Sequence, residues 1–184
     1  LNPTTMYGMT KVAGELLADY YSEAHGVDVR GVRYPGLISW RTPPGGGTTD
    51  YAVSIFHSAI HGLPYTCFLS ADTRLPMMYM DDAIRATLEL MDAPREQLTC
   101  PASYNLAAVS FSVEELATEI QRNVAGFEVE YAPDERQAYA DSWPDVVDDS
   151  LARADWGWGH EFGLKEIVSE MLENLKRDQR LETA

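Results

Sequence analysis

An apolar helical run that stops at His25-Gly26 and gives way at once to an extended run does most to limit what this chain can fold into. From Met6 to Ala24 apolar side chains recur at helical spacing, with Val12, Leu16 and Tyr20 on one face. Gly26 supplies the usual helix stop. The segment Val27 to Tyr34 is rich in β-branched residues and bounded by Gly26 and Pro35, so it reads as a buried strand. A helix that feeds straight into such a strand predicts an α/β layer with parallel pairing.

The rest of the chain keeps alternating. Thr42-Pro43-Pro44-Gly45-Gly46-Gly47 is the strongest loop signal, and a helix is expected after it over Tyr51–His61. Extended pieces are expected at Tyr65–Leu69 and Met77–Met80. Asp81 and Asp82 then sit at a helix start, where carboxylates favour the positive end of the dipole, and that helix runs to about Met91. Ser103–Leu106 and Phe127–Tyr131 read as short strands. Ser112-Val113-Glu114-Glu115 is a capping box that opens a helix with Val113, Leu116, Ala117 and Ile120 inward. In the last helix Leu164, Ile167, Val168, Met171, Leu172 and Leu175 trace one continuous stripe.

Charge removes whole classes of partner. The 184 residues carry 14 basic and 29 acidic side chains, a net charge of −15, which argues against nucleic acid and anionic membranes. No apolar run approaches the roughly 20 residues that span a bilayer. Cys67 and Cys100 show no metal spacing, and His25, His57, His61 and His160 are scattered, so no metal site is expected. A reduced, intracellular compartment is the expectation from the cysteines. Between Glu128 and Glu161 stand ten acids and two arginines, read as a solvated acidic face. The chain opens Leu1-Asn2-Pro3 without an initiator Met or a leader pattern, and it is expected to be the back part of a longer polypeptide.

One spacing carries chemistry. Tyr7 and Lys11 are four residues apart, one turn of the first helix, so both side chains leave the same face. A free phenol has a pKa of about 10, too high for ready proton exchange at neutral pH. A cation one turn away stabilises the phenolate, and the tyrosine can then take the proton of a substrate hydroxyl as hydride leaves the same carbon. With ten tyrosines in the chain this spacing alone is a weak motif; its context of helix, strand and glycine-rich loop strengthens it.

Tyr7-xxx-Lys11, the strand exit Arg33-Tyr34-Pro35-Gly36 and the run Met77 to Ala83 resemble the extended short-chain dehydrogenase/reductase family, of the NAD-dependent epimerase/dehydratase type. Within it the chain is most similar to the epimerase-type L-threonine 3-dehydrogenases. That likeness rests on Val32 to Ser39, Gly45 to Ala52, Arg136-Gln137, Asp141-Ser142-Trp143-Pro144 and Asp148 to Trp158, in family order along nearly the whole chain.

The resemblance implies roles. Tyr7 matches the catalytic acid/base, and Lys11 the residue that holds the nicotinamide ribose and lowers the tyrosine pKa. Tyr34, Pro35, Gly36 and Leu37 match the turn that lies against the nicotinamide of NAD, where a glycine lets backbone approach a flat ring. Thr48, Thr49 and Asp50 match substrate contacts: hydroxyls and loop amides for the substrate carboxylate, an acid for its ammonium. Thr49 or Asp50 is also a candidate cap for the helix that follows. Trp143 matches a substrate-covering segment, and Arg74 is read as a surface arginine. The family's glycine-rich dinucleotide fingerprint is absent, and Gly45-Gly46-Gly47 does not replace it.

The resulting expectation is an α/β chain, the C-terminal part of a Rossmann-like doubly wound fold. Residues 1–37 and 79–109 would be the remainder of the NAD-binding domain, and 38–78 and 110–184 a small substrate-binding lobe. A missing N-terminal half would leave apolar helix and sheet faces exposed. The activity implied is NAD-dependent oxidation of L-threonine by a homodimer, cytoplasmic, or mitochondrial in a eukaryote. The rivals are a nucleotide-sugar epimerase or dehydratase, which needs cations for a diphosphate, and a non-catalytic Rossmann-like binding protein.

Overall fold

The computed structural model describes residues 2–182, and side chains through residue 178. Leu1, and residues 183–184 at the end of the expected 110–184 lobe, lie outside the described residues.

Elements follow one another as helix α1 (Met6–His25), strands β1 (Val32–Arg33) and β2 (Gly36–Ile38), helix α2 (Tyr51–His61), and strands β3 (Tyr65–Cys67) and β4 (Arg74–Tyr79). Helix α3 (Met80–Asp92), strands β5 (Tyr104–Asn105) and β6 (Val109–Ser112), helix α4 (Val113–Asn123) and strand β7 (Val129–Tyr131) come next. Helices α5 (Arg136–Ala140), α6 (Ser150–Trp156) and α7 (Leu164–Glu182) complete the order. The α/β class holds. Parallel pairing holds for β1 with β5, β2 with β4, and β3 with β7, whereas β6 runs antiparallel to β4, from Arg74 opposite Ser112 to Met77 opposite Val109.

The chain forms two compact units. The first combines residues 1–34, 84–106 and 148–159. Its strand is shorter than the Val27–Tyr34 run suggests. Only Val32 and Arg33 pair, opposite Tyr104 and Asn105, and Val27 is exposed. With one short neighbour, the upstream residues have no ladder to join. Arg30 instead turns its guanidinium onto the end of α3, donating through Nη1 to the carbonyls of Leu90 (2.5 Å), Met91 (2.8 Å) and Ala93 (2.7 Å). A cation on the last carbonyls satisfies acceptors that the helix cannot. Helix α1 starts at Thr5, whose hydroxyl accepts from the Gly8 amide (3.1 Å), and ends at left-handed Gly26. None of its residues is buried, and Leu16, Leu17 and Tyr20 lie open to solvent.

The second unit combines residues 35–83, 107–147 and 160–184 and holds the larger core. Helices α2, α4 and α7 pack on one another through Ile55, Phe56, Leu116, Ile120, Ile167, Val168 and Met171, all fully buried. Each such side chain contributes about 1.5–3 kcal/mol by leaving water. The capping box forms as expected, with the Glu115 amide donating to Ser112 Oγ (3.1 Å) and the Ser112 amide to Glu115 Oε2 (2.8 Å).

The acidic stretch is not a uniformly solvated face. Asp134 pairs with Arg136, Asp149 is buried and pairs with Arg153, and the stretch contains β7, α5 and α6. Asp82 stands in the first turn of α3, as expected, and has a second role. It is fully buried, and its carboxylate accepts the amides of Glu161 (3.0 Å) and Phe162 (3.1 Å), fixing the approach to α7.

Candidate functional site

In the first unit Tyr7 and Lys11 stand on successive turns at the start of α1. The Lys11 ammonium lies 5.1 Å from the centroid of the Tyr7 ring. This separation is within cation–π range. Tyr7 is 74% exposed. Among the described residues, neither its hydroxyl nor the Lys11 ammonium has a hydrogen-bond or ion-pair partner. Both polar heads are therefore available to a ligand. Tyr34 is also exposed, but its hydroxyl shares a hydrogen bond with that of Thr87.

Two buttressed carboxylates stiffen this unit. Glu15 receives Arg33 Nε (2.7 Å) and Nη2 (2.5 Å), and this hydrogen bonding holds its carboxyl below the usual range. Asp155 accepts from the buried Tyr104 hydroxyl and from the Thr99 amide (2.9 Å) and hydroxyl (2.8 Å); the Tyr104 bond is the main cause of its lowered pKa.

In the second unit Pro35 leads into β2, which begins at Gly36. A Cβ on Gly36 would stand 2.4 Å from Met77 Sδ and 2.8 Å from Thr49 Cγ2. The glycine is thus required by side chains that close on it within the protein. Thr48, Thr49 and Asp50 form a single 3-10 turn ahead of α2, half-buried and packed against β2 and α5. Neither Thr49 nor Asp50 caps α2 through its side chain, contrary to expectation. The Asp50 carboxylate instead accepts the amides of Gly45 (2.6 Å) and Gly47 (2.9 Å) through one oxygen. Those two amides, expected to be open to a substrate carboxylate, are already engaged. The Thr48 and Thr49 hydroxyls have no partner among the described residues.

Trp143, 43% exposed, borders an open cleft of about 440 Å³ that also holds Arg74, Gln137 and the carboxylates of Asp72, Asp141 and Asp145. Arg74 is a partly exposed arginine with partners of its own: it donates to the Ser110 carbonyl (2.7 Å) and to Glu115 (2.7 Å), tying β4 to β6 and α4. Gln137 is the organising side chain here. It accepts from the Ser70 amide (2.8 Å) and donates to Thr73 (2.9 Å) and Asp141 (2.6 Å). The sequence marked Gln137 only as part of a resemblance; its partners lie up to 67 residues away. Among the described residues, no group of three or more His, Cys, Asp or Glu is placed to hold a metal ion, and no helix is long and apolar enough to cross a membrane.

Residues 1–107 match the NAD dependent epimerase/dehydratase family. The bovine mitochondrial L-threonine 3-dehydrogenase is 54% identical over 171 residues, covering 92% of this chain and 46% of that protein. The holo form of a GalE-like L-threonine dehydrogenase from Cupriavidus necator is 61% identical and superposes with a TM-score of 0.93 over 96% of this chain and 57% of that one. A monomeric L-threonine 3-dehydrogenase from a metagenome is 55% identical, with a TM-score of 0.92 over the same two shares. The chain spans about half the length of the curated relatives it matches. Its α/β fold is Rossmann-like, as in those structures. With 107 of its 184 residues inside the family pattern, the chain belongs to the NAD dependent epimerase/dehydratase family.

Proposed function

We propose that the full-length protein carrying this chain oxidises L-threonine to 2-amino-3-oxobutanoate with NAD. The observation that carries this reading is the Lys11 ammonium beside the Tyr7 phenol, both uncommitted. The relatives at 54% and 61% identity are L-threonine dehydrogenases. The residues present fit one end of the cofactor. Lys11 has N–H donors free for ribose hydroxyls, and Tyr34, Pro35, Gly36 and Leu37 are the residues assigned to the nicotinamide in this reading. NAD, when bound, supplies the hydride acceptor. Tyr7 takes the proton of the substrate hydroxyl at its phenol oxygen, with the Lys11 ammonium one helical turn away. Thr48 and Thr49 donate their hydroxyls to the substrate, with Asp50 in the same turn, and Trp143 covers it. In this reading 1–37 and 79–109 belong to the NAD-binding domain, and 38–78 with 110–184 to the substrate lobe.

The acidic cleft disfavours a nucleotide sugar. A diphosphate needs uncommitted cations, and Arg74 is spent on Ser110 and Glu115 beside three carboxylates. A homodimer of the full-length protein belongs to the same proposal. The metagenomic relative described as monomeric is a precedent against it.

The test is NADH formation by the full-length protein with L-threonine or L-serine, beside sugar-product analysis with UDP-galactose, whose epimerisation or dehydration leaves no net NADH. Turnover of threonine in clear preference is expected. Turnover of the UDP-sugar without threonine would overturn the assignment and leave the fold untouched.

A further inference from the structure

The Asp50 carboxylate is the one acid in the Thr48–Asp50 turn, and a substrate ammonium is the obvious partner for it. The hydrogen bonds point elsewhere. One carboxylate oxygen takes the amides of Gly45 and Gly47, five and three residues upstream, at 2.6 and 2.9 Å. The main chain of the same residue closes the loop a second time, since the Asp50 amide donates to the Gly47 carbonyl at 3.1 Å. Downstream, the Asp50 carbonyl accepts from Ser54 Oγ at 2.9 Å, which ties the turn to α2. The three glycines have no side chains of their own to hold the loop, and Gly46 has a φ of +94°, a conformation that L side chains rarely adopt. Amide bonds to a carboxylate are among the stronger hydrogen bonds, and here they are what gives this permissive stretch one shape. Thr49 is the next residue back, with its Cγ2 methyl seated over Gly36.

We infer that Asp50 is a positioning residue: it holds the Gly45–Gly47 loop, and with it the Thr48 and Thr49 hydroxyls, before substrate arrives, and it is not the counter-ion of the substrate ammonium. The inference rests on the threonine reading for what the hydroxyls bind. It does not need that reading for what Asp50 holds. The two roles differ in what they ask of the side chain. Holding two amides needs an acceptor oxygen, which an amide side chain retains. Neutralising an ammonium needs the charge, which an amide lacks.

The full-length protein with Asp50→Asn and with Asp50→Ala separates them. Two readouts are taken: KM for threonine beside KM for NAD, and hydrogen exchange of the peptide spanning residues 43–50 without substrate. Asp50→Ala is expected to speed exchange in that peptide and to raise KM for threonine roughly tenfold or more, with KM for NAD little changed. Asp50→Asn is expected to restore both to within a few-fold of the parent. Equal KM losses in the two variants, with slow exchange kept in Asp50→Asn, would overturn the inference in favour of a charge role. Unchanged loop exchange in Asp50→Ala would also overturn it. A parent protein that ignores threonine would sink the functional reading, and the exchange data would still decide whether Asp50 holds the loop.

Discussion

Lys11 places its ammonium 5.1 Å from the centre of the Tyr7 ring, and neither polar head is engaged by another described residue. The pair is built by helix geometry alone, four residues apart on α1 behind the Thr5 cap. Tyr7→Phe keeps the ring beside the ammonium and removes the proton acceptor. It should lower kcat by at least about a hundredfold while NAD affinity stays nearly constant. Lys11→Met should weaken both. Steady-state kinetics beside a fluorescence titration with NADH reads the two effects separately, and near-normal turnover by Tyr7→Phe would place the proton acceptor elsewhere.

Thr49 has a free hydroxyl and makes no cap for α2. Its removal therefore costs the helix little. In the full-length protein Thr49→Ala should raise KM for threonine several-fold, by the loss of one hydrogen bond to a charged group, and leave KM for NAD nearly unchanged. A thermal melt run on the same preparation checks the structural side. A large drop in melting temperature without a KM effect would show that the residue only packs.

A methyl group added at Gly36 meets Met77 Sδ at 2.4 Å and Thr49 Cγ2 at 2.8 Å. Met77 is fully buried and cannot swing aside into solvent. Gly36→Ala should destabilise the protein by about 1–3 kcal/mol through overpacking. It should also raise KM for threonine by displacing Thr49. Urea unfolding with kinetics on the refolded sample measures both, and wild-type stability would mean that β2 moves freely against its neighbours.

Acid should loosen the first unit. The Tyr104 hydroxyl holds the Asp155 carboxyl below its usual pKa, and the Thr99 bonds add to this. A carboxylate whose folded pKa is lowered contributes stability above its unfolded pKa of about 3.9, and that contribution fades as pH falls through the folded value. Asp155→Asn should therefore be less stable than the parent at pH 7, by about 1 kcal/mol, and the gap should narrow near pH 3. Urea midpoints at the two pH values provide the check; a gap that stays constant would show that the charge contributes nothing.

Short-range patterns in the sequence were enough for several elements. Helix α2 covers Tyr51–His61 as its loop and spacing imply, Ser112 and Glu115 form their capping box, and the stripe from Ile167 to Leu175 faces the core. The Tyr7–Lys11 pair was legible for the same reason: caps, turns and i,i+4 neighbours are fixed by residues within one or two turns. Length of strand was not. Val27–Tyr34 has the composition of a strand, yet only Val32 and Arg33 find a partner, because a ladder extends only as far as its neighbour does. Helices α5 and α6, of five and seven residues, are too short to show a period, and the charge between residues 128 and 161 hid them.

The site divides along the same line. Sequence alone determined that a phenol and an ammonium share a helix face and that a glycine-rich loop precedes two threonines and an acid. The tertiary structure decided what the polar groups do once neighbours arrive. Arg74 reaches Ser110 and Glu115, Gln137 reaches Ser70, and Asp82 reaches Glu161 and Phe162, over separations of 36 to 80 residues. Asp50, by contrast, has partners only three and five residues away, yet its role still had to be seen, because a carboxylate beside three glycines can cap a helix, bind an ammonium or hold the loop. Composition permits all three; only the backbone path, with Gly46 turned to positive φ, selects the last. A hydrogen bond depends on direction and on distances of a few tenths of an ångström, which no pattern of residue types specifies.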